Sequence, residues 1–329
     1  MKKKYLNLTR IMAIVLLFSS SCAERYEYSL PEAKTNLQND AIFRSMGPHI
    51  VGLNLYFVYA MALGFDKGTL VSAQVEASIA GAPGTYLENK SYFTNTGGID
   101  QGIVVADPSV TNGNITEVSF TKDTCAAALR YYYIIPEEAR GKTVSFTFSA
   151  IASTGETVSY KLGPYTIAKM DMKLDITMSD NNLLYFSIAD MKAYNAAEAA
   201  ANAGNIDLVY LHRSITGILF GHALVAPAAN AEYLPGITLP AGVNKNTKIQ
   251  KMFALRDRHL ARDRWGEFVD DIDFEKLNIS GAPNYSINLL AEYGLWVETE
   301  DGKYRAYIYV NAINNTAKTM RISLKRYTM

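Results

Sequence analysis

The sequence predicts a mainly β protein built as two tandem β-sandwich domains, the first immunoglobulin-like and the second carrying one short helix and long loops. Three observations point there. The run TLVSAQVEASIA alternates apolar and polar residues without a break from Val71 to Ile79, the period of a half-buried strand. Asp301-Gly302 sits between two further alternating runs, a strong signal for a two-residue hairpin turn. Tyrosine is abundant at 22 residues, with 13 Phe and only 2 Trp, and such rings favour pleated surfaces.

In the first domain, residues 40–168, the apolar stretch IVGLNLYFVYAMALGF (50–65) contains Gly52 and Asn54 and is too short to span a bilayer. It reads as a long strand bent at Gly52. Next, Val71, Ala73, Val75, Ala77 and Ile79 are assigned to one face and Ser72, Gln74, Glu76 and Ser78 to the other. Residues 80–84 (AGAPG) form a turn. Further strands are expected at 85–94, 115–121, 125–135, 143–152 and 156–167, with Ser153-Thr154-Gly155 closing a tight hairpin. About seven short strands in about 125 residues suit an immunoglobulin-like sandwich, although no Cys-Trp-Cys signature is present. Tyr131, Tyr132 and Tyr133 must divide between the two faces of their strand. Cys125 precedes Ala126, Ala127, Ala128 and Leu129, which assigns it a buried, small apolar role.

The second domain, residues 169–329, begins after a junction at 168–171. Two strand-like runs flank Asp180-Asn181-Asn182, which reads as a hairpin-like turn. Asn195 and Glu198 have the spacing of a capping box, and Gly204 ends the Ala-rich run that follows, so a helix is predicted near 196–203. IDLVYLHR (206–213) is a strand. Residues 214–285 are rich in Pro, Gly and Asn and read as long excursions, with a helical turn or two in the charged segment 256–268. The last hairpin is explicit in its register. With Asp301-Gly302 in the turn, Leu295 faces Ile308, Val297 faces Ala306 and Tyr293 faces Val310, forming a core side. The opposite side pairs Glu298 with Arg305, Trp296 with Tyr307 and Gly294 with Tyr309.

The N-terminus carries an address. Lys2, Lys3, Lys4 and Arg10 precede an apolar core from Ile11 to Phe18, and three serines run into Cys22. This is the layout of a signal peptide over residues 1–21, cleaved before a lipidated cysteine. Ser19 stands where many lipoproteins carry Leu. Acyl chains on Cys22 would anchor the chain to a membrane, with residues 22–39 as a polar tether. The expected location is the cell envelope, lipid-anchored, at the surface or periplasmic face of the outer membrane. A formal net charge of zero implies no basic face for nucleic acid.

No GxSxG, Walker or dinucleotide motif occurs, so the chain is expected not to be an enzyme, with no cofactor and no metal. The face carrying Trp296, Tyr307, Tyr309, Arg305 and Glu298 is the sharpest candidate for a ligand site. Flat rings offer an apolar floor for a sugar, and Arg and Glu can bond its hydroxyls. The competing possibility is that the 214–285 excursion covers this face as a second core layer. Asp270, Asp271, Asp273 and Glu275 form an acidic cluster whose spacing matches no EF-hand, and it reads as a solvated acidic turn. Of the histidines His49, His212, His222 and His259, none has zinc-helix spacing, and only His212 and His222 are placed to meet across two strands.

Four segments resemble a family of uncharacterised Bacteroidota lipoproteins, a domain-of-unknown-function family. They are LPEAKTNLQNDAIFRSMGPHIVGLNLYFVYAMAL (30–63), LYFSIADMKAYNAAEAAA (184–201), IDLVYLHR (206–213) and DGKYRAYIYVNAI (301–313). The resemblance covers nearly the whole mature chain. It implies a surface or periplasmic lipoprotein of β-sandwich domains and supplies no site residues. Because such lipoproteins often accompany glycan uptake, it favours a non-catalytic binding module with a glycan ligand. The alternative is a structural or adhesion subunit partnered with other surface proteins, and the third reading is a glycan hydrolase.

Overall fold

The computed structural model of the protein describes residues 34–329. The signal peptide, the lipidation site Cys22 and the tether as far as residue 33 lie outside the described residues.

The first half contains β1 (Gln38–Phe43), β2 (Asn54–Ala62), β3 (Leu70–Ala77), β4 (Tyr86–Leu87), β5 (Lys90–Thr94), β6 (Asp100–Val104), β7 (Val110–Asn112), β8 (Ile115–Ser119), β9 (Ala126–Ile134), β10 (Thr143–Ala152) and β11 (Thr157–Thr166). They form two antiparallel sheets, ordered β1-β2-β9-β4 and β11-β10-β3-β8-β7, while β5 and β6 make a separate ribbon. Alternation decides what is inside. Leu55, Phe57, Tyr59 and Met61 of β2 meet Phe146 and Phe148 of β10 across the sandwich, with the Phe57 and Phe146 rings 4.7 Å apart. Rings of this size contribute most of the buried apolar area in such a core.

Three expectations change. The long strand begins only at Asn54, after the turn that holds Gly52. The strand expected over 85–94 is broken at Glu88-Asn89, where the chain leaves one sheet for the ribbon. Val71 is 44% exposed while Leu70 is buried. The register slips between Ile151 and Ala152 on the neighbouring strand, so Val71 is the extra residue of a bulge and turns outward.

The second half contains β12 (Asp171–Ser179), β13 (Tyr185–Ser187), β14 (Lys192–Tyr194), α1 (Ala196–Ala201), β15 (Leu208–Ile215), β16 (Ile218–Val225), β17 (Lys248–Met252), α2 (Arg258–Ala261), α3 (Asp271–Lys276), β18 (Tyr285–Leu289), β19 (Gly294–Glu298), β20 (Tyr304–Asn314) and β21 (Thr319–Thr328). The sheets are β12-β21-β20-β19-β17 and β14-β13-β15-β16-β18. Between them lies a core that includes Phe186, Leu208, Tyr210, Leu295, Ile308 and Leu324. The β19–β20 register is the one read from the sequence, from Gly294 opposite Tyr309 to Glu298 opposite Arg305. The capping box of α1 is present in both directions between Asn195 and Glu198.

Asp180-Asn181-Asn182 does not close a hairpin. It carries the chain from one sheet to the other, because β12 pairs with β21 and β13 pairs with β14 and β15. Residues 214–285 are not only excursions, since they supply β16 and β17 to the two sheets. The segment 253–282, with α2 and α3, is the true excursion. Among the described residues, no helix is long and apolar enough to cross a membrane.

The two sandwiches are joined without spare chain. Ile167 bridges to His49, and the Ala168 amide donates to the His49 carbonyl at 2.7 Å. The next two amides, of Lys169 and Met170, donate to the two oxygens of Asp271 at 2.7 and 3.2 Å.

Candidate functional site

The residues singled out from the sequence do share one face, but that face is closed. Trp296 is 7% exposed, and Tyr307 and Tyr309 are buried. Leu260, Val269, Phe274 and Ile279 of the excursion pack over them with Ile50 and Met170 from the junction. The edge of Phe274 meets Trp296 at 5.4 Å, and the Tyr307 hydroxyl donates to the Leu255 carbonyl. Arg305 donates to Glu298 at 2.7 Å and to the backbone carbonyl of Glu275 at 3.2 Å. A ring enclosed in this way has no face left for a sugar, so the proposed platform is instead a second core layer.

A buried ion pair fastens this cover. Lys325 donates to Asp257 and to the Val269 carbonyl, both at 2.7 Å, and both side chains are fully enclosed. Asp257 also caps α2, accepting from the Leu260 amide at 2.9 Å and from the Val269 amide at 2.7 Å. Burial holds the Lys325 ammonium below its ordinary pKa while Asp257 pulls it back up. The acidic cluster is structural too. Asp270 and Asp273 form the capping box of α3, Asp271 holds the junction amides, and Glu275 accepts from the Tyr327 hydroxyl at 2.6 Å. Cys125 is only half-buried, at the rim of the first core.

The open aromatic face lies on the first sandwich. Alternation along β9 turns Tyr131 and Tyr133 inward and Tyr132 outward. Tyr56 of β2 lies directly opposite Tyr132, and Tyr86 of β4 lies on its other side. The three rings stack in a row, Tyr56 on Tyr132 at 4.9 Å and 13°, and Tyr132 on Tyr86 at 4.9 Å and 18°. One ring stands on each strand, at the inter-strand spacing of about 4.8 Å. Nearly parallel rings this close overlap their faces. Solvent therefore meets their edges, their hydroxyls and Tyr86, which is 41% exposed.

Beside the row, Arg130 pairs across from Val58. Its guanidinium lies 3.5 Å over the Tyr92 ring and bonds Asp100 at 2.8 Å. One carboxylate oxygen of Glu88 is buried with no hydrogen-bond partner among the described residues. Burial, and then the Glu88 charge, push the Tyr132 hydroxyl above its ordinary pKa.

At the Tyr56 end the row runs into a cleft of about 430 Å³ between the sandwiches, lined by Ser45, His49, Asn54, Tyr56, Ile134 and His259. Gly47, between the lining residues Met46 and Pro48, has a φ of +79°, and a Cβ there would lie 2.5 Å from the Phe268 ring. The excursion thus fits against a loop that only glycine can make. His259 sits in α2. Burial first, and then the Lys325 charge, lower its pKa to about 4. Its Nδ1 is buried without a partner among the described residues, and burial also lowers the pKa of His49. The cleft therefore offers neutral imidazoles and an amide beside an aromatic wall. Sequence reading flagged the split of Tyr131–Tyr133 but did not reach Tyr56, Tyr86, Arg130 or His259 as site residues.

Residues 34–167 match DUF4466 and residues 168–329 match DUF8576, each described as a domain of unknown function. A crystal structure of a DUF4466 family protein from Parabacteroides merdae is 45% identical, with a TM-score of 0.85, over 90% of this chain and 100% of that one. The chain belongs to the DUF4466 family. This agrees with the resemblance read from the sequence. No curated protein matches this DUF4466 protein. More distant likenesses include a cohesin module from a Clostridium perfringens family 33 glycoside hydrolase, at 14% identity and TM-score 0.24 over 40% of this chain and 98% of that one. Another is the major pilin SpaD of Corynebacterium diphtheriae, at 8% identity and TM-score 0.30 over 87% and 59%. At these scores neither bears on function.

Proposed function

We propose that this DUF4466 protein is a non-catalytic binding module of the cell envelope, lipid-anchored through Cys22 at the outer membrane, with a glycan as its ligand. The observation that carries the reading is the row Tyr56–Tyr132–Tyr86, half-buried except for the exposed Tyr86, leading into the junction cleft. Sugars have apolar faces and a rim of hydroxyls, and a site of few polar groups beside aromatic rings matches both. The lining of the cleft includes no carboxylate, whereas a glycosidase needs two facing each other at about 5 to 9.5 Å.

The test is a glycan array with the wild-type protein and with Tyr86→Ala and Tyr132→Ala. Both side chains face outward, so the variants should remain folded and lose the bound glycans. Retention of every wild-type signal by both variants would sink the site. Metabolic palmitate labelling that is present in the wild type and absent in Cys22→Ala supports the anchor. Equal labelling of the two refutes it.

A second reading, a structural or adhesion subunit, is favoured by the β5–β6 ribbon, whose pairing puts the exposed Phe93 and Ile103 on one face. Contiguous apolar surface of this kind marks contact with another protein. If that reading is right, cross-linking in cells will capture a partner through this ribbon, and Ile103→Glu will abolish the product.

A further inference from the structure

A second cleft, of about 410 Å³, opens at the end of the second sandwich where the β15–β16 and β20–β21 hairpins turn. Its floor is a histidine pair. His212 and His222 stand directly opposite each other on β15 and β16, with ring centroids 4.4 Å apart. Its walls are aliphatic: Ile218, Leu219, Leu290 and Ile313. Leu219 is 79% exposed and Ile218 and Leu290 are exposed as well, a grouping that leaves apolar surface in water.

The two histidines are not equivalent. His222 Nε2 lies 2.8 Å from Asn315 Oδ1, and its Nδ1 lies 2.7 Å from the Tyr210 hydroxyl. With Oδ1 as acceptor, Nε2 carries the hydrogen and Nδ1 accepts from Tyr210, so both nitrogens are occupied and the ring is neutral. His212 has a buried Nδ1 with no partner among the described residues, and one oxygen of Asp180 is in the same condition. Such groups are rarely left without a partner in folded proteins.

The charges around His212 are Arg213 on its own strand, Asp180 beyond β12 and Lys318 in the β20–β21 turn. Arg213 is bonded to Asp180, so these two cancel and Lys318 leaves the corner positive. Burial, with the charge of Lys318, keeps His212 below its ordinary pKa.

We propose that this cleft binds a small carboxylic acid with an apolar chain, the carboxyl group at the His212–Lys318 corner and the chain along Ile218, Leu219 and Leu290. The positive corner selects an acid over an amine. The aliphatic walls select a chain over a bare carboxylate, and the size of the cleft falls within the range of small-ligand sites.

The protein has four histidines, so their ring Cε1 protons are a compact NMR reporter. Titration of the purified full chain with sodium octanoate should shift His212 and His222 saturably and leave His49 and His259 in place. Octylamine should leave all four unmoved. Leu219→Asp changes an exposed residue and leaves the fold intact, and it should weaken octanoate by about tenfold or more. Lys318→Glu should weaken octanoate likewise. The proposal is overturned if millimolar octanoate moves neither ring, if His49 or His259 moves instead, if octylamine binds as well, or if Leu219→Asp binds octanoate as the wild type does.

Discussion

Two outward sheet faces of this protein carry nearly the same aromatic pattern and have opposite fates. On the second sandwich, Trp296, Tyr307 and Tyr309 lie beneath residues 253–282. On the first, Tyr86 is exposed and Tyr56 and Tyr132 are half-buried in a stacked row. Both patterns arise from the period-two alternation of antiparallel strands. The difference lies outside the strands. One face has a long excursion locked over it by Lys325, Asp257 and the capped α2, and the other has only the short β4 and the ribbon at its edge. An aromatic face becomes core or platform according to what a distant segment does, so ring content alone does not decide between packing and binding.

The comparison breaks most readily at the lock. Lys325→Ala leaves Asp257 buried and unpaired, and should cost about 3–5 kcal/mol in urea unfolding. A loss under about 1 kcal/mol would mean that the cover is held elsewhere. Trp296→Ala should cost a similar amount, about 3–5 kcal/mol, if the ring is core. A near-neutral result would reopen that face as a surface.

Gly47→Ala tests the fit of the cover against the first sandwich. Its left-handed backbone and the Phe268 ring at 2.5 Å predict a loss of about 1–2 kcal/mol or more, readable as a lower Tm.

His259 sharpens the same contact through pH. Its folded pKa is about 4, against an ordinary value of 6.5, so between those values the unfolded chain binds more protons. The contribution of neutral His259 is therefore complete above about pH 6.5 and is lost as pH falls toward and through 4. His259→Gln should flatten part of the fall in Tm over that window. Identical pH profiles for the two proteins would contradict this. The smallest effect is expected for Tyr132→Ala, within about 1 kcal/mol in stability, although it should abolish glycan retention.

Much of the fold was legible where the signal was local. Asp301-Gly302 and the alternation around it determine every pair from Gly294–Tyr309 to Glu298–Arg305, because a one-residue slip would bury Glu298 and expose Val297. Asn195 and Glu198 declared the start of α1 through side chains three residues apart. What depended on distant chain was not legible. Asp180-Asn181-Asn182 has the chemistry of a tight turn whether it closes a hairpin or crosses between sheets. β16 and β17 were hidden in a stretch whose Pro, Gly and Asn belong to the loops between them. The bulge that turns Val71 outward is set by the register of β10, about eighty residues away.

The site divides in the same way. That Tyr131–Tyr133 would split between faces followed from pleating. That Tyr56 and Tyr86 would flank Tyr132 required knowing that β2, β9 and β4 are neighbours. Trp296, Tyr307 and Tyr309 were correctly placed together, but their cover comes from the excursion and from a lysine on another strand.

The seam at residues 167–170 has a mechanical consequence. Each successive amide there is already committed, that of Ile167 to Lys142, that of Ala168 to His49 and those of Lys169 and Met170 to Asp271, so the chain holds no hinge at the point where a bead-on-a-string protein would have one. A pull applied at one sandwich is delivered to the other as a torque rather than absorbed by uncoiling. The cleft between the two sandwiches thus keeps its shape under load.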